Sequence, residues 1–468
     1  MSTIFDTPLE NRGAPKYRLV SDRIRQAIAN DSLKPGAKLP PVRELSYQLG
    51  ITPGTVARAY SLLVDEGVLV AEIGRGTFVA DPADFAEDSP IEVDAIAHNS
   101  SGDGYEINMF SPHLASVGQA ALIRELLSEV AQDPPSGLMH YPNRVSARPA
   151  REAVIRWLSD RPLGRIQESD VVLANGGQNA ISLIFQSILT GRRPTVLVEE
   201  LAYPGFRRAA ELLRADVVPV AMDDQGVIPE ALEAAARQHE AQIFCTLPDV
   251  HNPTGLFTPH SRREDLVNIA RQRDLQILED DCYFSDTARA PGYRMLAPER
   301  SWYVSSLSKS LTPALRIGVG IAPPGQGARL RRAAEHGFFG LATPITDLLA
   351  KLLTHPKSSD LARDVRRKTD VYVQCAVNTL GMYRLRWRAG VPFVWLELPE
   401  GWRAGAFCQA AEAQGVQIRS AEEYASRNAR TTHAVRMAVN AGVSLASYEA
   451  ALQRLRNLLD NPPERIGV

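Results

Sequence analysis

Ser305-Ser306-Leu307-Ser308-Lys309-Ser310-Leu311-Thr312-Pro313-Ala314-Leu315-Arg316 is the most informative stretch of this chain. It places a single lysine among serines, with an arginine seven residues further on. A lysine in such a context is most often an ordinary surface residue, so Lys309 gains its meaning from its neighbours in the sequence. Polar segments at 176–178, 251–255 and 279–283 each follow an apolar run that predicts a strand. This ordered set of strand-end segments indicates a functional site that includes Lys309.

The region around this stretch has the alternating pattern of an α/β fold. Apolar runs with strand character at 171–173, 195–198, 242–244 and 275–278 alternate with helical stretches. Such alternation predicts an α/β domain around a mostly parallel sheet. The first run leads into Gly176-Gly177-Gln178, where a helix is expected to begin, and backbone N–H groups at a helix start suit a phosphate.

The composition of the whole chain excludes several classes of protein. The 468 residues carry 52 Lys and Arg against 54 Asp and Glu, and 44% are apolar, which rules out a wholly disordered chain. A net charge of −2 gives no sign of nucleic-acid binding, so any DNA-binding surface has to be local. No run of about 18 apolar residues predicts a membrane span, and the N-terminal residues lack the apolar segment of a secretory signal. The cysteines lie far apart and favour reduced thiols in a cytoplasmic protein, without a disulfide framework or metal site: Cys245, Cys282, Cys375 and Cys408.

Charge patterning predicts where the chain divides into domains. Residues 1–80 carry ten basic and eight acidic residues, whereas residues 81–110 carry eight acidic residues and no Lys or Arg. The acidic stretch also contains prolines and a Gly- and Ser-containing tract, which is typical of a solvated linker. We therefore expect a small domain at 1–80, a flexible linker at 81–104 and a large domain at 105–468.

The first eighty residues predict a winged helix-turn-helix. Helical spacing covers 17–30, a second helix begins at Pro41 and stops at Gly50, and a third begins at Pro53 with Thr52 as its cap. Two short strands follow, joined through Gly74-Arg75-Gly76. In this design the third helix enters the major groove of DNA and the wing contacts the backbone. From the pattern alone, a small helical domain for dimerisation or packing is the alternative.

The stretch LKPGAKLPPVRELSYQLGITPGTVARAYSLLVDEGVLVAEIGRGTFVA, residues 33–80, resembles the DNA-binding domain of GntR-type bacterial regulators over nearly its full length. The resemblance implies operator DNA as a partner, contacted by Arg43, Thr52, Thr55, Arg58, Arg75, Gly76 and Thr77. The arginines are expected to hold phosphates or to read guanine edges. The chain departs from many relatives at Pro53 and Gly54, where they carry an arginine early in the recognition helix, so the operator sequence stays open.

Residues 105–460 resemble the pyridoxal-phosphate (PLP) enzymes of the aspartate aminotransferase fold, known as fold type I. The resemblance rests on the ordered segments Gly176-Gly177-Gln178, His251-Asn252-Pro253-Thr254-Gly255, Glu279-Asp280-Asp281-Cys282-Tyr283 and 305–316. It implies a small subdomain mainly from about residue 345 onward and a PLP cofactor joined to Lys309 as a Schiff base. The implied cofactor contacts are Gly177, Gln178, Ser306 and Arg316 at the phosphate, Asp280 at the pyridine nitrogen, Asn252 and Tyr283 at the phenolic oxygen, and Tyr203 stacked on the ring.

The same resemblance assigns roles to a second tyrosine and to an arginine. Tyr141 matches the tyrosine that reaches the phosphate of the neighbouring subunit, so the site requires a dimer. Arg436 lies in a short apolar strand and matches the arginine that binds an amino-acid carboxylate in a bidentate pair. Alternatives remain for two of these roles: Tyr203 as a core residue at a strand end, and Arg436 in a structural salt bridge.

Other residues on the substrate side are less defined. Arg207 and Arg208, just past Tyr203, are either a second anionic contact or, as is more common, surface arginines. Ser146, Ala150 and Leu201 depart from the family pattern, whereas the cofactor contacts do not. We expect such departures from the family pattern on the substrate side if PLP is retained while turnover or substrate shape has changed.

A GntR-type winged helix joined to an aminotransferase-like domain is the layout of the MocR subgroup of bacterial transcription regulators. This resemblance implies a cytoplasmic, head-to-tail homodimer that senses an amino acid or amine by external aldimine formation at Lys309. It predicts a regulator and not an enzyme. An active PLP-dependent aminotransferase with an attached DNA-binding domain is the alternative, and an inert effector domain is disfavoured because Lys309, Asp280 and Arg316 are all present. The identity of the effector (a carboxylate or sulfonate amine, or PLP itself) and the sense of regulation stay open.

Overall fold

The structure is a computed structural model that describes residues 16–30, 32–65, 68–72, 76–80, 107–283, 290–426 and 433–462. Contacts between residues divide the chain into two compact units, within 1–101 and within 102–468. The predicted linker at 81–104 and the predicted DNA contact Arg75 lie outside the described residues.

The N-terminal unit contains the predicted three helices and a hairpin. Apolar residues at helical spacing form its core, among them Val20 and Ile24 of the first helix and Val56 and Leu63 of the third. The hairpin is antiparallel, with Leu69 opposite Val79. The Thr52 hydroxyl contacts the Thr55 hydroxyl at 2.9 Å instead of forming the predicted cap on a backbone N–H. The elements are α1 Lys16–Ala29, α2 Val42–Gln48, α3 Pro53–Asp65, β1 Leu69–Glu72 and β2 Gly76–Val79.

The second unit is built around a seven-stranded, mostly parallel sheet, as the alternation of strands and helices predicts. The strand order is β4-β12-β11-β10-β9-β5-β6, and β12 is antiparallel to both of its neighbours, whereas the other pairs are parallel. The strands are β4 Val171–Asn175, β5 Thr195–Glu199, β6 Asp216–Val220, β9 Ile243–Thr246, β10 Gln276–Asp280, β11 Ser301–Ser306 and β12 Ile317–Ile321.

Helices cover both faces of this sheet, which is why its inner strands are buried along most of their length instead of on one face only. In β5, Val196 and Val198 pack into one core cluster, and Leu197 between them packs into another on the opposite face. Helices α6, α7 and α11 pack on the face that carries the first cluster. Helices α4, α5, α8, α9, α10 and α12 pack on the opposite face. The helices are α4 Gln119–Gln132, α5 Arg148–Trp157, α6 Gly176–Ile188, α7 Pro204–Leu212, α8 Pro229–His239, α9 His260–Gln272, α10 Tyr293–Leu296, α11 Gly327–Phe338 and α12 Thr343–Thr354.

A second core lies in the C-terminal part of the unit. A four-stranded antiparallel sheet in the order β13-β14-β17-β16 packs with three helices, and the short strand β3 pairs with β15. Two further short strands, β7 and β8, form a hairpin. The elements are β3 Ile107–Asn108, β7 Met222–Asp223, β8 Gly226–Val227, β13 Leu385–Arg386, β14 Phe393–Glu397, β15 Val416–Gln417, β16 Arg419–Ser420, β17 Ala434–Ala438, α13 Pro356–Leu380, α14 Ala404–Ala413 and α15 Leu445–Asp460. Among the described helices, none combines the length and apolar character of a membrane span.

Candidate functional site

Strand pairing brings three of the predicted phosphate contacts to one edge of the central sheet. Asn175, at the end of β4, lies opposite Ile317 at the start of β12, and Gly318 lies opposite Ser306 at the end of β11. Arg316 and the start of α6 are the next residues along the chain from these pairs. The register therefore places Ser306 and Arg316 next to the helix start that sequence analysis predicted.

The glycines at this edge allow an unusually close approach of the backbones. A Cβ atom on Gly318 would lie 2.2 Å from the carbonyl carbon of Gly176, and one on Gly176 would lie 2.8 Å from Arg316 Nη2. The Arg316 guanidinium thus packs against the first residue of α6, and it has no ion pair among the described residues. Backbone N–H groups at a helix start and an unpaired guanidinium together favour binding of an anion.

Gln178 and Tyr203 both lie against Gly205, in the first turn of α7. The Gln178 Nε2 donates to the Gly205 carbonyl at 2.8 Å, and a Cβ atom on Gly205 would lie 2.2 Å from the Tyr203 ring. Tyr203 is half-buried and its ring lies edge-on to Phe206, at 5.9 Å between centroids. Burial raises the pKa of Tyr203, with a further contribution from the nearby Asp280 carboxylate. The ring therefore stays neutral in the neighbourhood of Asp280.

Asp280 is a buried carboxylate at the end of β10 without a cationic partner in the described part of the chain. It is 5% exposed, and its Oδ1 accepts a hydrogen bond from the Cys282 backbone N–H at 3.0 Å. Burial raises the pKa of Asp280 to about 6. Its neighbour Asp281 is different, because that carboxylate forms a buried ion pair with Arg161 and accepts a hydrogen bond from Tyr303 at 2.7 Å. Of the two adjacent aspartates, Asp280 is the one available to a positively charged ligand atom.

Asn252 and Tyr283 are also buried polar groups with capacity left for a ligand. Asn252 is 2% exposed, and its Oδ1 has no hydrogen-bond partner among the described residues. Tyr283 lies edge-on to Phe393 at 5.2 Å, and burial raises the pKa of its phenol to about 12. A buried polar atom without a partner is rare in folded proteins and calls for an explanation, which a polar ligand would supply.

Lys309 ends a short 3₁₀ turn, Leu307–Lys309, directly after β11. The Ser306 Oγ accepts from the Ser308 backbone N–H at 3.1 Å and so caps this turn. Lys309 is half-buried. The lysine is therefore placed by the same strand end that positions Ser306 at the predicted phosphate site.

The Arg436 guanidinium is buried in the middle of β17, and all of its described partners are neutral. It is 3% exposed and donates from Nη1 to the Phe110 carbonyl at 3.1 Å and to the Tyr424 hydroxyl at 2.9 Å, and from Nη2 to the Tyr283 hydroxyl at 3.3 Å. Its Nε has no partner, and its Cζ lies 4.6 Å from the centre of the Phe393 ring. The salt bridge that sequence analysis left as the alternative is absent among the described residues. Through Tyr283, Arg436 adjoins the predicted cofactor contacts.

These residues fit the cofactor that the resemblance implies. PLP has a dianionic phosphate, a ring nitrogen that is cationic when protonated, and a phenolic oxygen. The glycine-lined helix start with Arg316 is complementary to the phosphate and the unpaired Asp280 to the ring nitrogen, and the Asn252 amide N–H and Tyr283 O–H are donors suited to the phenolic oxygen. Within the described residues, no group of three or more His, Cys, Asp or Glu side chains is arranged to hold a metal ion.

Tyr141 lies away from buried groups of its own chain. It is 83% exposed and its ring lies 6.1 Å from that of Phe339, which is 72% exposed. Leu138, Met139 and Val145, near Tyr141 in the sequence, are also exposed, and we refer to these three residues with Tyr141 and Phe339 as the Tyr141 patch. Large exposed apolar side chains in one region of the chain are typical of an interaction surface.

The predicted DNA contacts lie on or beside α2, α3 and the hairpin. Arg43 is exposed and has no ion pair among the described residues, and Thr52, which directly precedes α3, is also exposed. Arg58 is exposed, and its Cζ lies 4.4 Å from the centre of the Tyr17 ring of α1. Thr55 is half-buried, whereas Gly76 and Thr77 begin β2.

Sequence analysis missed several residues that border the site. Tyr424 and Phe110 bind Arg436, yet neither lies in a recognisable motif, and no sequence signal marks them. Cys282 lies within the quoted segment 279–283, so its position was known but its contact with Asp280 was not.

Arg207 donates to the backbone carbonyls of Ala425 and Glu423 at 2.9 and 3.1 Å, which gives it a structural role in place of the anionic contact considered above.

Comparisons with known proteins identify a family for each part of the chain. The sequence profile of the family "Aminotransferase class I and II" matches residues 118–455, and that of "Bacterial regulatory proteins, gntR family" matches residues 16–79. The chain is 29% identical to the HTH-type transcriptional regulator YdeF of Bacillus subtilis, over 96% of this chain and 95% of that protein. It is 28% identical to the HTH-type pyridoxine biosynthesis transcriptional regulator PdxR of Corynebacterium glutamicum, over 69% of this chain and 68% of that protein.

A solved structure shows the same fold for the large unit. LysN, an alpha-aminoadipate aminotransferase from Thermus thermophilus, was solved in complex with N-(5'-phosphopyridoxyl)-L-leucine. It superposes with a TM-score of 0.67 at 23% identity, over 76% of this chain and 92% of that chain.

Proposed function

Because the chain belongs to the aminotransferase class I and II family and joins that domain to a GntR-type DNA-binding domain, as the MocR subgroup does, we propose that it is a transcription regulator that senses an effector amine. The winged helix binds operator DNA, and the large domain takes PLP and receives the effector. Full-length similarity to a transcriptional regulator supports the assignment over that of a free-standing enzyme.

The chain's own residues hold the cofactor at the sheet edge. Gly177, Gln178, Ser306 and Arg316 would hold its phosphate, Asp280 its ring nitrogen, Asn252 and Tyr283 its phenolic oxygen, and Tyr203 its ring. When bound, PLP would supply an aldehyde able to condense with a primary amine such as that of Lys309 or of the effector.

One observation supports an effector with an anionic group. Arg436 is a buried guanidinium that lacks a carboxylate partner among the described residues, and its Nε is unsatisfied. A buried charge is costly unless it is paired, so the site favours a ligand that brings the missing negative charge. The effector is accordingly a primary amine that also carries a carboxylate or a sulfonate.

The regulator acts as a cytoplasmic, head-to-tail homodimer in which Tyr141 of one subunit reaches the phosphate bound by the other. The domains are residues 1–80 and 105–468, joined by the linker at 81–104. The effector changes DNA binding only if it binds one arrangement of the dimer better than another, because equal affinity for both would shift nothing.

The experiment that tests this function is an absorption titration of the purified holoprotein with amino acids, ω-amino acids and aminosulfonates. We expect one class of compound to change the cofactor spectrum to a new, stable form and to alter DNA affinity in parallel. Lys309→Ala is the control, since it lacks the amine that the effector replaces. If no compound alters either the spectrum or DNA affinity, effector sensing at Lys309 is wrong.

An active aminotransferase with an attached DNA-binding domain is the second candidate, because the groups proposed to bind the cofactor are all present. The solved structure of similar fold supports it, since that protein is named as an aminotransferase. If a compound converts the cofactor to its amine form and a keto acid restores it, the protein turns over and is an enzyme as well as a DNA-binding protein.

A further inference from the structure

Tyr424 lies beside the guanidinium of Arg436, in a part of the chain that no sequence motif marks. Its phenol is 3% exposed, its Oη accepts a hydrogen bond from Arg436 Nη1 at 2.9 Å, and its ring centre lies 5.9 Å from Arg436 Cζ. We propose that Tyr424 is a further effector-binding residue, whose hydroxyl donates a hydrogen bond to the oxyanion held at Arg436. This inference rests on the proposed function, which places the anionic group of the effector at Arg436.

The hydrogen bonds around Arg436 leave several donors unused. Both Nη1 hydrogens are engaged, one with the Phe110 carbonyl and one with Tyr424 Oη. The buried Nε has no partner, and Nη2 has a single contact, at 3.3 Å from Tyr283 Oη. Because Tyr424 Oη accepts from the arginine, its own O–H is left without an acceptor in the described part of the chain. Unused N–H and O–H donors around one cation suit a ligand group that only accepts, such as a carboxylate or a sulfonate.

No acidic side chain of the described residues takes this place. The closest candidate in sequence is Glu423, whose carboxylate forms an ion pair with Arg419 and accepts from the Ser420 backbone N–H at 3.2 Å. Glu423 is thereby directed to Arg419, and the charge of Arg436 stays unmatched. An external oxyanion would satisfy Arg436 and Tyr424 together.

The backbone around Tyr424 is fixed before any ligand arrives. The Ala202 N–H donates to the Tyr424 carbonyl at 2.8 Å, and Arg207 holds the carbonyls on either side, at Glu423 and Ala425. A donor that is already held in position loses little conformational entropy when a ligand binds. Tyr424 is therefore suited to select the ligand by hydrogen bonding, in addition to the charge that Arg436 supplies.

The test uses the full-length holoprotein and two probes that carry the anionic group but no amine, butyrate and propane-1-sulfonate. Their binding is measured by isothermal titration calorimetry at constant ionic strength. For Tyr424→Phe we expect both probes to bind roughly tenfold more weakly, as is typical for the loss of one hydrogen bond to a charged group. Uncharged butyramide should not distinguish the variant from the wild type.

The matched control is Tyr448→Phe, which removes the hydroxyl of another buried tyrosine. The Tyr448 Oη has no hydrogen-bond partner among the described residues, so its loss should leave probe binding unchanged. Cofactor absorption of each variant verifies that PLP is still bound.

The outcomes separate this inference from the proposed function. If wild type fails to bind both probes, or if Tyr424→Phe binds them equally well or more tightly, Tyr424 is not an effector-binding residue. If the probes depend on Tyr424 but no amine alters the cofactor spectrum or DNA affinity, the anion site stands and effector sensing at Lys309 fails. If an amine effector acts equally on wild type and Tyr424→Phe, the proposed function stands and the inference fails.

Discussion

Cys282 favours the charged form of Asp280 with its backbone N–H and its protonated thiol. Its backbone N–H donates to Asp280 Oδ1 at 3.0 Å, and its thiol, whose pKa is raised by burial, keeps its proton beside the same carboxylate. Burial raises the pKa of Asp280 to about 6, the neighbouring Asp281 and Glu199 add to the rise, and the Cys282 hydrogen bonds oppose it. Asp280 loses its negative charge as the pH falls through this value, and the affinity for a cationic ring nitrogen should fall with it.

We predict that Cys282→Ala moves the pH at which PLP affinity declines upward from about 6, by roughly one unit, because the carboxylate loses a donor. PLP affinity measured by absorption between pH 5 and pH 8.5 checks this shift. Cys282→Ser restores a donor and should return the profile to that of the wild type. A Cys282→Ala profile that coincides with that of the wild type would show that the thiol does not influence Asp280.

At the scale of residues, sequence reasoning located the polar groups better than it described their partners. Asp280 and Ser306 end β10 and β11, and Asn252 lies in the loop that follows β9, because motif order fixes their place along the chain. Asp281 is paired with Arg161, and Arg436 has no carboxylate partner among the described residues. Both arrangements depend on groups that lie more than ten residues away along the chain. Such pairing follows from tertiary packing and has no local signature.

Among the elements, the helix-turn-helix gives the most direct prediction for DNA. Arg43 lies in the first turn of α2, is exposed and has no ion pair among the described residues, so its charge is available to a phosphate. We expect Arg43→Ala to weaken binding to duplex DNA and to lower the slope of log affinity against log salt concentration by about one. Fluorescence anisotropy of a labelled duplex over a series of salt concentrations measures the slope.

The control for Arg43 is Arg25→Ala, which removes the same charge from α1, where Arg25 is paired with Asp22 at 2.6 Å. This variant should keep the wild-type slope. Equal slopes for Arg43→Ala and the wild type would remove Arg43 from the DNA interface.

Strand β12, Ile317–Ile321, shows why one element escaped sequence analysis. Its sequence, Ile-Gly-Val-Gly-Ile, contains two glycines, which lower strand propensity and hide the apolar pattern. The structure gives a physical reason for one of them, since a Cβ atom on Gly318 would collide with the backbone of Gly176. Gly318, which obscures the strand in the sequence, is therefore also the residue that lets β12 lie against the start of α6 at the predicted phosphate site.

For the whole molecule, the Tyr141 patch predicts how assembly and cofactor binding are linked. If Tyr141 completes the phosphate site of a partner subunit, a charge within the patch should disrupt both properties. We expect Phe339→Glu to dissociate the dimer in analytical ultracentrifugation and to weaken PLP binding. Met382→Glu, at another exposed apolar residue, is the control. A dimeric Phe339→Glu with normal PLP affinity would exclude the patch as the interface.

The predicted effector site contacts the segment through which the chain enters the large unit. Residue 107 is the first described residue after the predicted linker, and the segment 107–110 is held between β15 and β17: Ile107 pairs with Val416, and the Met109 carbonyl accepts from the Ala438 N–H. Arg436 donates to the Phe110 carbonyl, and the Phe110 ring lies 4.9 Å from Arg419 Cζ. A ligand that draws Arg436 toward itself should therefore alter the segment that continues into the linker.

We predict that Phe110→Ala weakens the coupling between effector and DNA while the cofactor spectrum still responds to the effector, because the ring no longer fixes this segment against Arg419. Linkage requires that DNA change effector affinity by the same factor as effector changes DNA affinity, so both are measured, and we expect the wild-type factor to be about fivefold or more. Phe257→Ala is the matched control, since its ring also lies near arginines, at 5.2 Å from Arg263 Cζ and 5.4 Å from Arg388 Cζ, and has no such ring contact with Arg436 or Arg419 among the described residues. If Phe110→Ala and Phe257→Ala couple as strongly as the wild type, the signal does not pass through Phe110.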